Sequence, residues 1–251
     1  MAQAAWESWY RHPKPRNVKY TPSIISYLDV LGFEELINTR KAGEISKILR
    51  ILSESVMPRP TGEPAKIVFT RFSDTVIRSI QKASASYLIY ELKTILRAQV
   101  ALIPLGVTIR GVVTIGDMVQ SWKIVYGPAV VRAYQLESIP GGNPRIAIDG
   151  DALNLMGPGL GDILISELGL ARRQGNEIYL DYLKACEFEL KVQEGAYLRF
   201  LKIHRDFIRE HLVKYAKTPK ILQKYQWLRE YHESTLQERF GREIPEHLSV
   251  K

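Results

Sequence analysis

One cysteine, Cys186, is all the chain has, which excludes an internal disulfide and fits a reducing cytosol. No apolar run is long enough to span a bilayer. The opening Met-Ala-Gln-Ala-Ala-Trp-Glu-Ser-Trp lacks the apolar core of a signal peptide, so a cytoplasmic protein with no membrane contact is expected. Histidine is scarce and scattered. His12 stands near the start, while His204, His211, His232 and His247 fall on late helical or terminal segments. None has metal-ligand spacing, and all five read as surface residues. Internal repeats and low-complexity tracts are missing too. Acidic residues are in the minority, 27 against 35 lysines and arginines, and the net charge of +8 favours an anionic partner. A nucleotide, a nucleic acid or an acidic protein would each satisfy it. What remains is ordinary for a globular protein: 251 residues, 45% apolar and 25% charged, enough for one substantial core with an appendage.

The most informative stretch is Ser26-Tyr-Leu-Asp-Val-Leu-Gly-Phe33. Ile24, Ile25, Tyr27, Leu28 and Val30 form an apolar, β-branched run that predicts a buried central strand. Asp29 ends it, and a carboxylate there is costly unless it reaches the sheet edge or meets a cation. Gly32 permits a tight turn before a helical pattern begins at Phe33. Alone, Asp29 reads as easily as a turn-capping residue. A second segment shifts the balance. Lys66–Ile80 reads as a hairpin folded at Phe72-Ser73-Asp74, which puts Asp74 at another strand end. Two carboxylates at adjacent strand ends repel unless a cation lies between them, the arrangement of a two-metal phosphoryl-transfer site.

The rest of the chain supplies a frame. Trp6, Trp9 and Tyr10 suggest a short leading helix, with Pro13 and Pro15 after it. Ile45, Ile48, Leu49, Leu52 and Val56 recur at helical spacing until Pro58 and Pro60 stop them. Ser84 or Ser86 caps a helix carrying Leu88, Leu92, Ile95 and Leu96, ended by Pro104 and Gly106. Val107–Ile115 and Met118–Tyr126 read as two strands of a hairpin, with Asp117 in the turn. Gly127-Pro128 opens another helix, and residues 144–149 form a further strand. Gly157–Gly161 reads as a loop, residues 175–183 as a turn and a strand, and 194–240 as almost wholly helical. The order predicts an α+β fold: an antiparallel sheet with helices on one face, plus a helical C-terminal extension. Residues 1–150 would form the catalytic domain with its lead-in, and 151–251 the extension packed on the core and on a partner subunit.

Four motifs in series carry a resemblance: Asp29-Val-Leu-Gly-Phe33, Phe72-Ser-Asp74, Arg110-Gly-Val-Val-Thr-Ile-Gly116 and Gly127-Pro-Ala-Val-Val-Arg-Ala-Tyr-Gln-Leu-Glu137. In order and spacing they resemble the class III nucleotidyl cyclase catalytic domain, with its ferredoxin-type sheet. Tyr27–Phe33, Val125-Tyr-Gly-Pro-Ala129 and Ala133-Tyr-Gln-Leu-Glu137 are similar to the pyrimidine cyclases of bacterial Pycsar anti-phage systems. Pro144–Asp149 and Tyr179–Leu183 extend that likeness.

The resemblance implies that Asp29 and Asp74 bind two Mg²⁺ or Mn²⁺ ions per site, with the Val30 carbonyl as a further ligand. Leu31, Gly32 and Phe33 would face the triphosphate. It also exposes departures from the purine cyclases. Thr70 stands where adenine-selecting lysine is usual, and Ile124 at the second base-reading position. Val131 and Gln135 replace the asparagine and the transition-state arginine of the closing helix. Arg110 or Arg132 would then have to supply the cation, although Arg132 reads equally well as a solvated helix residue. Tyr134 could stack on a base or belong to the core. The expectation is a homodimer with composite sites, turning UTP, ahead of CTP, into a 3′,5′-cyclic monophosphate and pyrophosphate. The product would act on a separate cyclic-nucleotide-gated effector in anti-phage defence. A purine cyclase and an inactive nucleotide- or nucleic-acid-binding module are the alternatives.

Overall fold

Strand β1 (Thr21–Val30) is the axis of a sheet in a computed structural model that describes residues 18–53, 65–121, 124–138, 142–190 and 195–250. Its side chains alternate between two apolar faces. Ile24, Leu28 and Val30 enter the main core, while Ile25 and Tyr27 join a smaller cluster on the opposite face. That division is why the run looks continuously apolar in sequence.

The hairpin β2 (Ile67–Phe72) and β3 (Thr75–Ile80) pairs antiparallel along one edge of β1, and β4 (Ile109–Gln120) along the other. Strands β6 (Ile146–Ile148), β8 (Glu177–Leu180) and β7 (Ala171–Gln174) complete the order β2-β3-β1-β4-β6-β8-β7, with β5 (Val125–Tyr126) pairing the end of β4. The α+β expectation holds. Two details differ from an all-antiparallel sheet with one helical face. The β4–β6 pair is parallel, and one helix, α4 below, lies on the far face.

Helices α1 (Phe33–Thr39), α2 (Ala42–Ser53) and α3 (Ala85–Leu102) follow the expected pattern. Of the predicted caps Ser84 is the one used, its hydroxyl accepting from the Tyr87 amide at 3.4 Å. Helix α4 (Pro128–Glu137) lays Ala129 and Ala133 on the second face, against Ile25, Val112 and Met118. A short α5 (Gly150–Met156) and α6 (Leu160–Asp162) follow, then α7 (Tyr182–Leu190) and the long pair α8 (Ala196–Lys214) and α9 (Pro219–Phe240). The C-terminal third is not an isolated unit. β8 pairs with β6, and residues of α8 and α9 belong to the same apolar cluster as β1 and α3.

Several sequence expectations need correction. Residues 107–126 are not an even hairpin: β4 runs unbroken to Gln120, and Asp117 pairs with Pro22 inside the ladder rather than turning the chain. The ladder with ten-residue β1 holds that segment extended despite its glycine. Part of the expected 157–161 loop is helical, since Leu160 buries against the core and starts α6. Strand β7 was hidden by its polar sequence.

The surface reading of the histidines fails for three of them. His204 and His232 are fully inaccessible, and His211 is buried. His232 Nε2 lies 2.8 Å from the Leu248 carbonyl, so it must donate there. Its Nδ1 then accepts from His204 Nδ1 at 2.9 Å, and His204 Nε2 accepts from the Tyr182 hydroxyl at 2.6 Å. One directional chain satisfies both neutral rings, and burial holds both rings' pKa values below the usual histidine range. Trp6, Trp9, Tyr10, His12, Val56, Pro58 and Pro60 lie outside the described residues.

Candidate active site

The site begins with a register. Asp29 pairs with Thr75 on β3 and with Arg110 on β4, so one carboxylate faces both neighbouring strands at the end of the sheet. Its own strand directs it to the α4 side, shared with Ile25 and Tyr27. Gly111 makes that pairing possible. A Cβ there would sit 2.1 Å from the Tyr27 carbonyl oxygen, so no other residue lets β4 approach β1 beside Arg110.

Arg110 Nε donates to Asp29 Oδ2 at 2.9 Å. Its Nη2 stands 2.9 Å from Glu137 Oε1 at the end of α4, but off-line, leaving that buried oxygen an ion-pair partner without a hydrogen bond. The Asp74 backbone carbonyl accepts from the Val30 amide at 3.3 Å, which ties the hairpin turn to the end of β1. Ser73 in that turn has φ 56°, a left-handed conformation that aims Asp74 back towards Asp29. The two side chains lie within hydrogen-bonding reach. Burial and, to a lesser degree, Asp74 outweigh the pull of Arg110, so the Asp29 pKa is raised to about 6.

The donor set suits a hard divalent cation. Two carboxylates crowd together at a cost that a proton or a metal ion would remove, and every nearby ligand atom is oxygen. Among the described residues no third His, Cys, Asp or Glu completes a cage. That leaves positions for water and phosphate oxygens, as Mg²⁺ prefers. Asp29, Asp74 and the Val30 carbonyl would hold such an ion. Next to them Gly32, with φ 73°, turns the chain between β1 and α1.

The remaining sequence candidates fall into separate groups. Thr70 sits directly across from Ile77 on β3, and its hydroxyl oxygen accepts from Gln120 Nε2 at 3.0 Å. Ile124 lies in the β4–β5 turn just beyond Gln120 and is exposed. Tyr134 is not a core residue. It is 57% exposed on α4, with its ring edge-on to Tyr27 at 6.4 Å. Arg132 is neither free nor aimed at Asp29. It grips Asp149 through two nitrogens, at 2.5 and 2.7 Å, and reaches Asp151 at 2.7 Å. Asp149 also accepts from Thr114 at 2.6 Å and from the Asp151 amide at 3.2 Å. These bonds keep its carboxyl below the usual range despite burial.

Three residues near the aspartates escaped sequence reasoning. Glu137 ends a recognised motif, but its pairing with Arg110 needs the fold. Tyr27 is half-buried beside Thr75, Glu137 and Asp29, and burial with the two carboxylates raises its pKa. Lys224 on α9 feels the charges of Arg110, Asp29 and Glu137. It lies 195 positions from Asp29, with no local pattern to single it out from the other basic residues of that helix. Asp74 itself lines a cavity of about 800 Å³ with Phe33, Arg71 and Ser73. Another of about 360 Å³ is lined by Arg110, Glu137, Asn143 and Arg145. A further one, about 370 Å³, lies between Leu31, Gly32, Tyr215 and Lys224.

No family model matches the chain, and no curated protein matches it. Among solved structures it is similar to the guanylyl cyclase Cya2, at 16% identity and TM-score 0.42, over 66% of this chain and 93% of that one. It is also similar to the adenylyl cyclase CyaB from P. aeruginosa, at 14% identity and TM-score 0.43, over 66% and 95%. The catalytic core of a rhodopsin-guanylyl cyclase with converted specificity, in complex with ATPalphaS, is similar at 13% identity and TM-score 0.40, over 64% and 95%. Likeness at this level fixes neither family nor substrate.

Proposed function

We propose that the chain is a class III-type nucleotidyl cyclase that converts UTP, and CTP less well, to the 3′,5′-cyclic monophosphate. The observation that carries this reading is the convergence of Asp29, at the end of β1, and Asp74, in the β2–β3 turn, on one partly buried spot backed by Arg110. In the reaction the ribose 3′-oxygen bonds to the α-phosphorus, the bond to the β-phosphate bridging oxygen breaks, and pyrophosphate leaves. The hydroxyl proton is lost to solvent or a base. Mg²⁺ or Mn²⁺, when bound, lowers the pKa of that hydroxyl and neutralises charge on the leaving group.

The protein's own groups have distinct tasks. Asp29 and Asp74 hold the cations. Arg110, engaged by Asp29 and Glu137, fixes the Asp29 carboxylate rather than reaching out for phosphate. Thr70 bears on base choice. Gln120 occupies one of its two lone pairs, so its proton and a single lone pair are left for a ligand, a balance tilted towards donation. A donor suits uracil O4, whereas cytosine N4 wants an acceptor. Neither Thr70 nor Ile124 offers the fixed charge that would read a purine edge.

A second copy of the chain completes the reading. Phe72, Ile124, Val131 and Tyr134 are large apolar side chains exposed on the α4 side of the molecule, Phe72 at 84%. Such an apolar face suits a partner subunit bringing its own α4 to the aspartates. The anti-phage role, with its cyclic-nucleotide-gated effector, rests on the motif resemblance alone, and the cytoplasmic setting on the single cysteine. No helix among the described residues is long and apolar enough to cross a membrane. Initial rates with UTP, CTP, ATP and GTP under Mn²⁺ test the proposal. The expected order is UTP first and CTP second. A preference for CTP would overturn the Thr70 argument, and a preference for ATP or GTP the pyrimidine reading.

A further inference from the structure

Lys224 is a cation with nothing to hold. It lies near the start of α9 and lines the cavity of about 370 Å³ together with Leu31 and Gly32 of the β1–α1 turn. It is half-buried, and no hydrogen bond or ion pair to another described residue engages its ammonium. Of the two carboxylates on that wall, Glu34 is exposed and makes no ion pair with Lys224. Glu35, on the same cavity wall, is paired with Lys214 at 2.5 Å and accepts from the Tyr215 hydroxyl. Asp29 and Glu137 are held by Arg110. The Arg110 charge repels Lys224, while those of Asp29 and Glu137 attract it from beyond bonding range.

A half-buried ammonium next to a second cation is costly without an anion of its own. Lysine stems are long and flexible, so such a group could extend into water, yet Lys224 is kept against the cavity wall. The wall it shares is the turn that adjoins the metal-binding strand end. An anion entering there would meet the unshared positive charge of Lys224 against the Leu31–Gly32 turn, two residues beyond Asp29, while Asp74 lines a neighbouring cavity with Phe33, Arg71 and Ser73.

We propose that Lys224 binds the β- and γ-phosphates of the substrate, so that the C-terminal helical hairpin supplies part of the triphosphate site. This rests on the cyclase reading above. It gives the pair α8 and α9 a role in substrate binding as well as in packing. Lys224 is a binding residue, placed to hold the polyphosphate that departs as pyrophosphate.

The test uses the full chain, Mg²⁺ and two analogues that lack the attacking hydroxyl, 3′-deoxy-UTP and 3′-deoxy-UMP, with dissociation constants measured by calorimetry. Lys224→Gln should weaken 3′-deoxy-UTP binding about 10- to 100-fold, the usual worth of a charge-assisted hydrogen bond. Binding of 3′-deoxy-UMP, which has no β- or γ-phosphate, should stay within about twofold, and Lys224→Arg should restore most of the triphosphate affinity. Wild type that binds 3′-deoxy-UTP, with Lys224→Gln unchanged, overturns the Lys224 assignment alone. Equal loss for both analogues, or a lowered melting temperature in Lys224→Gln, assigns a structural role and also overturns it. Wild type that binds neither 3′-deoxy-UTP nor 3′-deoxy-ATP overturns the cyclase reading and this one with it.

Discussion

Replacing Asp74 by asparagine should make the metal-free protein more stable while destroying the site. The isosteric amide keeps the turn but removes a negative charge beside Asp29. The Asp29 pKa stands at about 6 against an ordinary 3.8, so keeping it ionised in the folded state costs up to about 3 kcal/mol. Its place at the solvent-facing end of the sheet screens that to about 1–2 kcal/mol. Burial is the largest cause and Asp74 a lesser one, so Asp74→Asn should recover about 0.5–1 kcal/mol, or roughly 1–4 °C in Tm. The sign can be checked through pH. A carboxyl with a raised folded pKa binds extra protons in the native state between pH 3.8 and about 6. Its penalty is therefore complete above pH 6 and fades as pH falls through that window. The gain from the substitution should appear at pH 7.5 and shrink towards pH 4. Thermal melts of both proteins, with EDTA and then with Mn²⁺, measure it. Mn²⁺ should raise the Tm of wild type and leave the variant almost unmoved. A variant less stable than wild type at pH 7.5 in EDTA, or equally stabilised by Mn²⁺, would refute the shared-cation account.

Other expectations follow from the same geometry. In mixed dimers, an Asp74→Ala chain should regain activity with an Arg132→Ala chain, which can offer an intact aspartate half-site. It should not do so with an Arg110→Ala chain, because Arg110 serves the Asp29 of its own chain; recovery in that pairing would contradict the in-chain role. Acid should destabilise the protein between pH 7 and 5. His204, His211 and His232 have lowered pKa values, so the unfolded chain takes up protons near 6.5 that the native state refuses. The loss per histidine is at most about 1.4 kcal/mol per pH unit, with Asp29 opposing in part; a flat stability profile in EDTA would count against the buried histidine chain. Gly111→Ala should cost more than about 3 kcal/mol, since its methyl would strike the Tyr27 carbonyl, and soluble protein with a wild-type Tm would show that β4 can move aside.

The sequence made the aspartates legible because their signal is local. An apolar strand ending in Asp-Val-Leu-Gly, and a hairpin folding at Phe-Ser-Asp, can each be read within ten residues. The helices α1 to α4 were legible for the same reason, through periodicity and caps. What stayed hidden depends on chain segments far apart. The partners of Arg110 lie in β1 and at the end of α4, so only register shows that this arginine is already occupied. Arg132 reads as a surface residue until the strand that ends at Asp149 is seen beside it. Lys224 looks like any other basic position of an exposed helix. The histidines misled because polar residues on amphipathic helices usually face water, whereas here two rings and Tyr182 satisfy one another inside the core. Strand β7, Ala-Arg-Arg-Gln, carries no apolar alternation because Arg172 earns its half-buried place by pairing with Asp181 at 2.8 Å.

The most direct measurement follows the phosphorus. Incubating the protein with UTP and Mn²⁺, and recording ³¹P NMR spectra after chelation, separates cyclisation from hydrolysis. The account predicts pyrophosphate and a 3′,5′-cyclic phosphodiester appearing in equal amounts. Both should fall at least about a thousandfold in Asp29→Ala and Asp74→Ala, the loss of several kcal/mol of transition-state stabilisation. UDP with inorganic phosphate, or equal amounts of cyclic product from wild type and both folded variants, would contradict it.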